Sequence, residues 1–479
     1  MRDLVVLLPG ITGSVLARAG HTAGAKPVDV WAPSGQALYQ ALKTMGGSIT
    51  NLAVPAHDPR KPPPDTGITA TGVVQDFHGV LGLGKIDGYT TLATLITDHF
   101  LVTRGSLTSD APANFFEFPY DWRLSNRHSA TELRQFIKIR LANWREASNG
   151  APDGKVVLIA HSMGGLVSRY YLEVLEGWRD CRALITFGTP YRGAVNAVGF
   201  IANGYKQIGL DLTAVLRSCP AVYELFPVYK ALKTQEWRRV SEVSVPNAVA
   251  DYVAAAAEFH QEIRTAVDAH EKEADYLKSR YRIFPFVGVS QPTLQSARLA
   301  NGVLETSLDR PEVVDEPLDG GDGTVPRVSA TPLELSDDAR ETFFGERHAS
   351  LQKNEYALDD VRERLKQLQS KGLDEIRGVW RAGQRPVIGL GLEDLYLPGE
   401  PVVLRATVTN GEAPKGLIAQ FTAASGGAST DVPFKEDADA YALTLEGLLP
   451  GMYRVRVRSA IGGETAPTPV RDVFEIAAT

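Results

Sequence analysis

Residues Lys155-Val156-Val157-Leu158-Ile159-Ala160-His161-Ser162-Met163-Gly164-Gly165-Leu166-Val167 read as an apolar strand running into a tight turn that opens a helix. Few local patterns constrain a chain this strongly. Small residues on either side of Ser162 let a strained backbone close, and the following helix N-terminus favours negative charge beside the exposed hydroxyl. The pattern is A-x-S-x-G, with Ala160 where a glycine is common. Further apolar runs at Leu4–Leu8, Ala183–Phe187 and Ile283–Val287 join Val156–Ile159 as strand candidates. Helical patterns lie between and beyond them at Ala130–Glu146, Gly164–Leu175, Ala248–Arg280 and Leu351–Gln369. Such alternation predicts a parallel sheet covered by helices.

A serine hydroxyl is a weak nucleophile until a base takes its proton, so a histidine must reach Ser162 and a carboxylate must orient that histidine. On elbows of this kind the partners follow in the order serine, acid, histidine. Of nine histidines, His21, His57, His78, His99 and His128 precede the elbow, His161 points to the other side of the turn, and His260 and His270 fall in a helical stretch. His348 remains as the base, in a loop after the strand-like Glu341–Phe344. The acid is assigned to Asp322 in preference to Asp319 and Asp315, because Gly320, Gly321 and Gly323 give it a tight, exposed turn. Acyl transfer also needs backbone donors for an oxyanion. The amide of Met163 follows the serine, and that of Ile11 lies in the loop Pro9-Gly10-Ile11-Thr12-Gly13-Ser14 after the first strand.

The 479 residues suggest about two or three domains. Residues 1–370 hold every strand and motif above, with a cap at about 199–282 that reads as almost wholly helical and free of sheet signals. Pro55–Asp65 has too much proline for a helix or inner strand and reads as an exposed loop. A Gly- and Arg-containing linker at 371–385 leads to residues 386–479, where short alternating runs predict a small all-β, immunoglobulin-like sandwich. These runs are Val387–Leu392, Val402–Thr409, Leu417–Thr422, Tyr441–Leu445, Tyr453–Val457 and Val470–Ile476. Leu449-Pro450-Gly451-Met452-Tyr453 has the form of a tyrosine corner. A net charge of -7, from 50 Lys+Arg against 57 Asp+Glu, leaves no basic field for nucleic acid. Cys181 and Cys219 are too few for a disulfide framework or a four-ligand zinc site, and either a bridge or two free thiols fits them. The expected setting is a reducing, cytoplasmic one, since the apolar run after Met1 is too short for a secretory signal.

The strings Pro9–Ser14, Phe118-Pro119-Tyr120-Asp121-Trp122-Arg123, Ala160–Gly165, Gly188-Thr189-Pro190-Tyr191-Arg192-Gly193, Gly321-Asp322-Gly323-Thr324-Val325 and Arg347-His348 together resemble the lecithin:cholesterol acyltransferase and lysosomal phospholipase A family of α/β-hydrolases. The similarity runs over about residues 3–368. It implies an α/β-hydrolase fold with a helical cap and a lid loop at about 20–70, a triad at Ser162, Asp322 and His348, and oxyanion amides at Ile11 and Met163. It also implies that Trp31 meets the acyl chain, while the Asp-x-Arg pattern of Asp121 and Arg123 reads as a structural ion pair rather than as catalysts. Two departures stand out: no cysteine flanks Trp31, and the family's animal members lack the terminal sandwich. The overall look is closer to bacterial esterase or lipase members.

The expected activity is therefore hydrolysis of a hydrophobic or phospholipid ester through an acyl-enzyme, with no metal or organic cofactor. Transfer of the acyl group to an alcohol and a non-catalytic binding role are the alternatives. Besides the lipid ester, the expected partners are a membrane surface, contacted peripherally through Val80–Leu83 and Phe200–Ile201, and a protein bound by the sandwich.

Overall fold

The computed structural model describes residues 1–19, 27–32, 52–75, 88–207, 210–335, 342–369, 386–409, 414–423, 428–437, 440–461 and 466–477. Six strands form the central sheet: β1 (Leu4–Leu8), β2 (Phe115–Glu117), β3 (Val156–His161), β4 (Cys181–Phe187), β5 (Arg282–Gly288) and β6 (Thr342–Phe344). Their spatial order is β6-β5-β4-β3-β1-β2, and every neighbouring pair is parallel. All five residues of β1 and all six of β3 are buried. This is the pattern of strands covered on both faces, and it explains why they read as unbroken apolar runs.

The alternation of side chains splits the core in two. Leu4, Val6 and Leu8 of β1 join Leu158 and Ala160 of β3 in the cluster that includes Leu133 and Ile137 of helix α2 (Asn126–Glu146) and Leu166 and Val167 of helix α3 (Gly164–Glu173). Val5, Leu7, Val157 and Ile159 point the other way, toward Leu92 and Ile96 of α1 (Thr90–His99) and Val361 and Leu365 of α5 (Glu355–Gln369). Helix α2 starts four residues before the apolar pattern predicts, because the Ser125 side chain accepts the Arg127 N–H and caps it. The chain leaves β1 for β2 on one side and returns to β3 on the other. The order therefore reverses at β1, and loops leaving the carboxyl ends of β1 and β3 diverge around a crevice.

The region between β4 and β5 departs from the all-helical expectation. The predicted helix over Ala248–Arg280 is two, α4 (Ala250–His270) and Ala274–Ser279, interrupted at Glu271-Lys272-Glu273. Leu232–Lys233 and Trp237–Arg238 are strands, joined to the hairpin Ser296–Ala300 and Val303–Ser307 in a four-stranded sheet. Two-residue strands leave no periodic trace, and one of their partners lies some sixty residues downstream, about ten times an ordinary connection. Arg127 anchors this region to the sheet layer through Glu224 and Glu262. The first helix here, Val195–Asn203, buries Ile201 and packs Phe200 against the core. Ile201 is thus core and Phe200 is half-buried against it, while Val80–Leu83 lies outside the described residues, as do the linker 371–385 and most of 20–51.

Residues 386–477 form two antiparallel-rich sheets. One holds β7 (Val387–Gly391), β9 (Val402–Thr409), β13 (Ala440–Leu445) and β12 (Lys435–Asp437), in that order. The other holds β8 (Leu395–Tyr396), β15 (Val470–Ile476), β14 (Gly451–Ser459), β10 (Leu417–Ala423) and β11 (Thr430–Pro433). Alternate residues such as Val402, Leu404 and Ala406 close a separate core with Val455, Val457 and Phe474. The Tyr453 hydroxyl donates to the Leu449 carbonyl at 2.9 Å, so the predicted corner is present.

Candidate functional site

Ser162 follows β3 directly and has φ +51, in the left-handed region that a non-glycine residue rarely occupies. Surrounding groups hold it there. Its amide donates to the Phe187 carbonyl at 2.8 Å, and its carbonyl accepts the Thr189 hydroxyl at 3.0 Å. The carbonyl also receives the Gly165 amide as α3 begins. Asp322 lies in a turn after β5, where its Oδ1 accepts the amides of Thr324 at 2.9 Å and Val325 at 2.7 Å. These bonds leave Oδ2 to face His348, which stands just beyond β6.

The three residues selected from the sequence come together. His348 Nδ1 lies 2.7 Å from Asp322 Oδ2, and His348 Nε2 lies 2.9 Å from Ser162 Oγ. With an ionised carboxylate as acceptor, Nδ1 carries the proton, and the bare Nε2 accepts the serine hydroxyl. A backbone bond from His348 N to Asp322 O at 2.8 Å ties the two loops independently of the side chains. Both Ser162 and Asp322 are buried. The chain Asp322–His348–Ser162 can therefore move a proton off the hydroxyl while shielding the cation that results.

Gly188, inside a motif that gave no role from the sequence, is what allows this approach. It has φ +52, and a Cβ there would sit 2.7 Å from Asp322 Oδ2 and 2.8 Å from His348 Nδ1. Any side chain would enter the carboxylate–imidazole contact. A second unforeseen element is a relay behind the site. The Gly10 amide donates to the Tyr89 hydroxyl at 2.8 Å, and that hydroxyl contacts His161 Nδ1 at 2.9 Å. His161 Nε2 reaches the His348 carbonyl at 3.0 Å. Because Tyr89 already accepts from Gly10, its proton goes to His161 Nδ1, and His161 donates from Nε2. Burial, with His348 second, pushes His161 down to about 3, so it stays neutral beneath the site. Nothing in the sequence around Tyr89 marks it for this position.

Ile11 and Met163 sit on the two loops that leave β1 and β3. The first loop is braced from below by the Tyr120 hydroxyl, which donates to the Pro9 carbonyl at 2.8 Å. Trp31 ends a short strand, Val28–Trp31, that pairs with Ser14–Arg18. Its indole N–H donates to the Thr12 carbonyl at 2.9 Å, and its ring meets Trp122 edge-on at 5.2 Å. Asp121 and Arg123 form a bidentate buried pair at 2.6 and 2.9 Å, while Arg123 also donates to the Leu52 carbonyl and Thr66 hydroxyl. The pair thereby ties the segment 52–66 to the Phe118–Arg123 string. Cys181 and Cys219 are both buried and unbridged. Among the described residues no group of three or more His, Cys, Asp or Glu is placed to hold a metal ion, and no helix is long and apolar enough to cross a membrane.

Residues 64–279 match the lecithin:cholesterol acyltransferase family model. The resemblance read from the motifs thus holds for the stretch that contains Ser162, the Phe118–Arg123 string and Gly188–Gly193. Asp322, His348 and Ile11 lie outside it; the approach of Asp322 and His348 to Ser162 is seen in the geometry alone. Human lysosomal phospholipase A and acyltransferase is 32% identical over 92 residues, and its rat counterpart 29% over 89. Each alignment covers 18% of this chain and 20% of the relative, so the match spans about a fifth of the length of these curated proteins. Among solved structures, the lipase BlEst2 of Bacillus licheniformis in its mature form has 16% identity and a TM-score of 0.27, covering 51% of this chain and 74% of that one. The propeptide form gives 13% and 0.28, covering 74% and 83%.

Proposed function

We propose that this chain is a serine-dependent acyl-ester hydrolase whose substrate is a lipid or other hydrophobic ester. The observation that carries the reading is the continuous hydrogen-bonded line Asp322–His348–Ser162 at the crevice between β1 and β3. Ser162 Oγ attacks the ester carbonyl as its proton passes to His348 Nε2, and Asp322 stabilises the imidazolium. The tetrahedral oxyanion is received by the amides of Met163 and Ile11. Collapse breaks the carbonyl–oxygen bond, His348 protonates the departing alcohol, and an acyl-enzyme remains. Water, deprotonated by the same imidazole, repeats the sequence and releases the acid. No step calls for a metal or organic cofactor. Trp31, anchored to the Thr12 carbonyl, is in this reading the residue that meets the acyl chain.

Residues 1–370 constitute the α/β-hydrolase unit in this reading, with 199–282 as cap and 20–70 as lid. Residues 386–479 form an immunoglobulin-like sandwich, for which the paired sheets and the Tyr453 corner speak. The unbridged cysteines suit a reducing compartment. A second reading keeps the triad and replaces water by an alcohol. It is favoured by the acyltransferase activity named in both the matching family and the curated relatives.

The test is a substrate panel with purified wild type and Ser162→Ala, pairing short-chain p-nitrophenyl esters with phospholipid vesicles and resolving products by mass. Fatty acid released from vesicles by wild type alone supports the lipid reading. A new ester formed when an alcohol is supplied selects the transferase. Equal turnover by both proteins rejects the assignment of Ser162.

A further inference from the structure

The loop that carries His348 is gripped from outside its own domain. Glu346 and Arg347, the two residues before the histidine, face Arg471 and Asp472, consecutive residues near the start of β15. The Arg347 guanidinium donates to Asp472 Oδ2 at 2.5 Å and to the Leu390 carbonyl of β7 at 3.2 Å. In the opposite direction, the Arg471 amide donates to Glu346 Oε1 at 2.9 Å, and its guanidinium lies 3.6 Å from Glu346 Oε2. Each unit thus supplies one buried carboxylate and one arginine to the other. The Glu346 and Asp472 side chains are 0% and 2% exposed.

Three further contacts converge on the same place. A Cβ on Gly345 would lie 1.6 Å from Val387 Cγ1, so β7 rests directly on the backbone between β6 and His348. Gln291, in the loop after β5, accepts the Leu390 amide at 3.1 Å and donates to the Ile388 carbonyl at 3.0 Å. Its own amide donates to the Gly321 carbonyl, one residue before Asp322. Both the acid loop and the histidine loop are therefore bonded to the same strand of the sandwich. Burial pushes the Glu346 carboxyl up to about 7, against Arg471 and the amides of Arg471 and Arg347, which lower it. A buried exchange of charges with this desolvation is a poor device for stability alone, but it admits only one geometry.

We infer that the sandwich positions the catalytic histidine: the reciprocal pairs Arg347–Asp472 and Glu346–Arg471 hold residues 345–348 at the distance from Asp322 and Ser162 that proton transfer needs. Glu346, Arg347, Arg471 and Asp472 are then positioning residues that act through His348. The inference rests on the hydrolase reading. It gives the C-terminal unit a share in turnover without any contact to substrate.

The experiment compares full-length wild type with Asp472→Asn, Arg347→Gln and Arg347→Lys, using Arg458→Gln as a control at the exposed Arg458–Asp431 pair on the same sandwich. Steady-state hydrolysis of a short p-nitrophenyl ester and the rate of labelling by a fluorophosphonate are read on proteins whose melting and circular dichroism show them folded. A displacement of the imidazole by a fraction of an ångström should lower kcat by about 10- to 100-fold in Asp472→Asn and Arg347→Gln. KM should stay within about 2-fold, since substrate binding is untouched. Labelling should slow in parallel, Arg347→Lys should recover part of kcat, and Arg458→Gln should match wild type. Should Asp472→Asn not fold, the Arg347→Gln and Arg347→Lys pair carries the comparison. Folded variants with wild-type kcat, or with a raised KM and unchanged kcat, overturn the inference while leaving the hydrolase reading intact if Ser162→Ala is inactive. A wild type that neither turns over esters nor labels overturns both.

Discussion

The central sheet and the terminal sandwich bury their strands differently. In β1 every residue is buried, whereas β9 alternates, with Val402, Leu404 and Ala406 inside and Val403, Arg405 and Thr407 outside. A parallel strand needs a crossover to reach its neighbour, so helices cover both faces and the loops at the carboxyl ends are left to converge. There lie Ser162 just past β3, His348 just past β6, and Asp322 in the excursion between β5 and β6. Antiparallel strands return through short turns, leaving one face of each sheet wet. The lesson is that the first arrangement gathers distant residues to a point, while the second makes a rigid body whose edges are available to brace something else.

The comparison predicts a gulf in kcat between changes in the two regions. Ser162→Ala should lower kcat by about 10⁶-fold and Asp322→Asn by about 10⁴-fold. Tyr453→Phe, in the sandwich and changing a hydroxyl that bonds the Leu449 carbonyl and not the gripped loop, should leave it within about 2-fold. Ester turnover measures both, and a comparable loss in Tyr453→Phe would erase the distinction.

Two glycines of positive φ sharpen it further. Gly188→Ala places a methyl in the Asp322–His348 contact and should reduce kcat by about 10²-fold. Gly399 has φ +81 with nothing within 4 Å, so Gly399→Ala should cost only about 1 kcal/mol of backbone strain, visible in denaturant melts and silent in turnover. Kinetics of the two variants side by side check the pair.

Acid should strike the central-sheet unit through His161. Its folded value of about 3 lies below the ordinary 6.5, so the unfolded chain binds the extra proton. The associated stability is present above pH 6.5 and lost as pH falls toward 3, by about 2 kcal/mol at pH 5. Glu224 and Glu346, pushed up to about 7, contribute in the opposite sense. The measurement is therefore a difference: His161→Gln should lose less stability than wild type between pH 7 and pH 5. Parallel loss in both proteins would show that His161 is not kept neutral. As small as the Gly399 effect, Tyr453→Phe should lower stability by about 1 kcal/mol for its one hydrogen bond, read from urea unfolding.

What could be read in advance follows the same division. Ser162 was legible because strand, turn and helix must be adjacent in the chain for the elbow to form. Asp322 and His348 followed from chain order and from the glycines of the acid turn. The Tyr453 corner was legible because turn and phenol are neighbours. Tyr89 and Gly188 were not legible as site elements, since what matters about them is where other loops come to rest. Leu395–Tyr396, Thr430–Pro433 and Lys435–Asp437 are too short to impose a period on the sequence. The exchange between Glu346-Arg347 and Arg471-Asp472 joins segments more than a hundred residues apart, and charged residues at such separations carry no mark of their partners.

The place of β1 inside the sheet has a consequence for how the chain is made. Leu4–Leu8 pairs with Phe115–Glu117 on one side and with Val156–Ala160 on the other. At about 5–20 residues per second, its second partner leaves the ribosome roughly 7–30 seconds later. Until the first partner emerges these five consecutive apolar residues have neither edge bonded, and one edge stays open to any other strand nearby until the second arrives. A chaperone that occupies this segment during synthesis should raise the yield of soluble protein more than one acting after release.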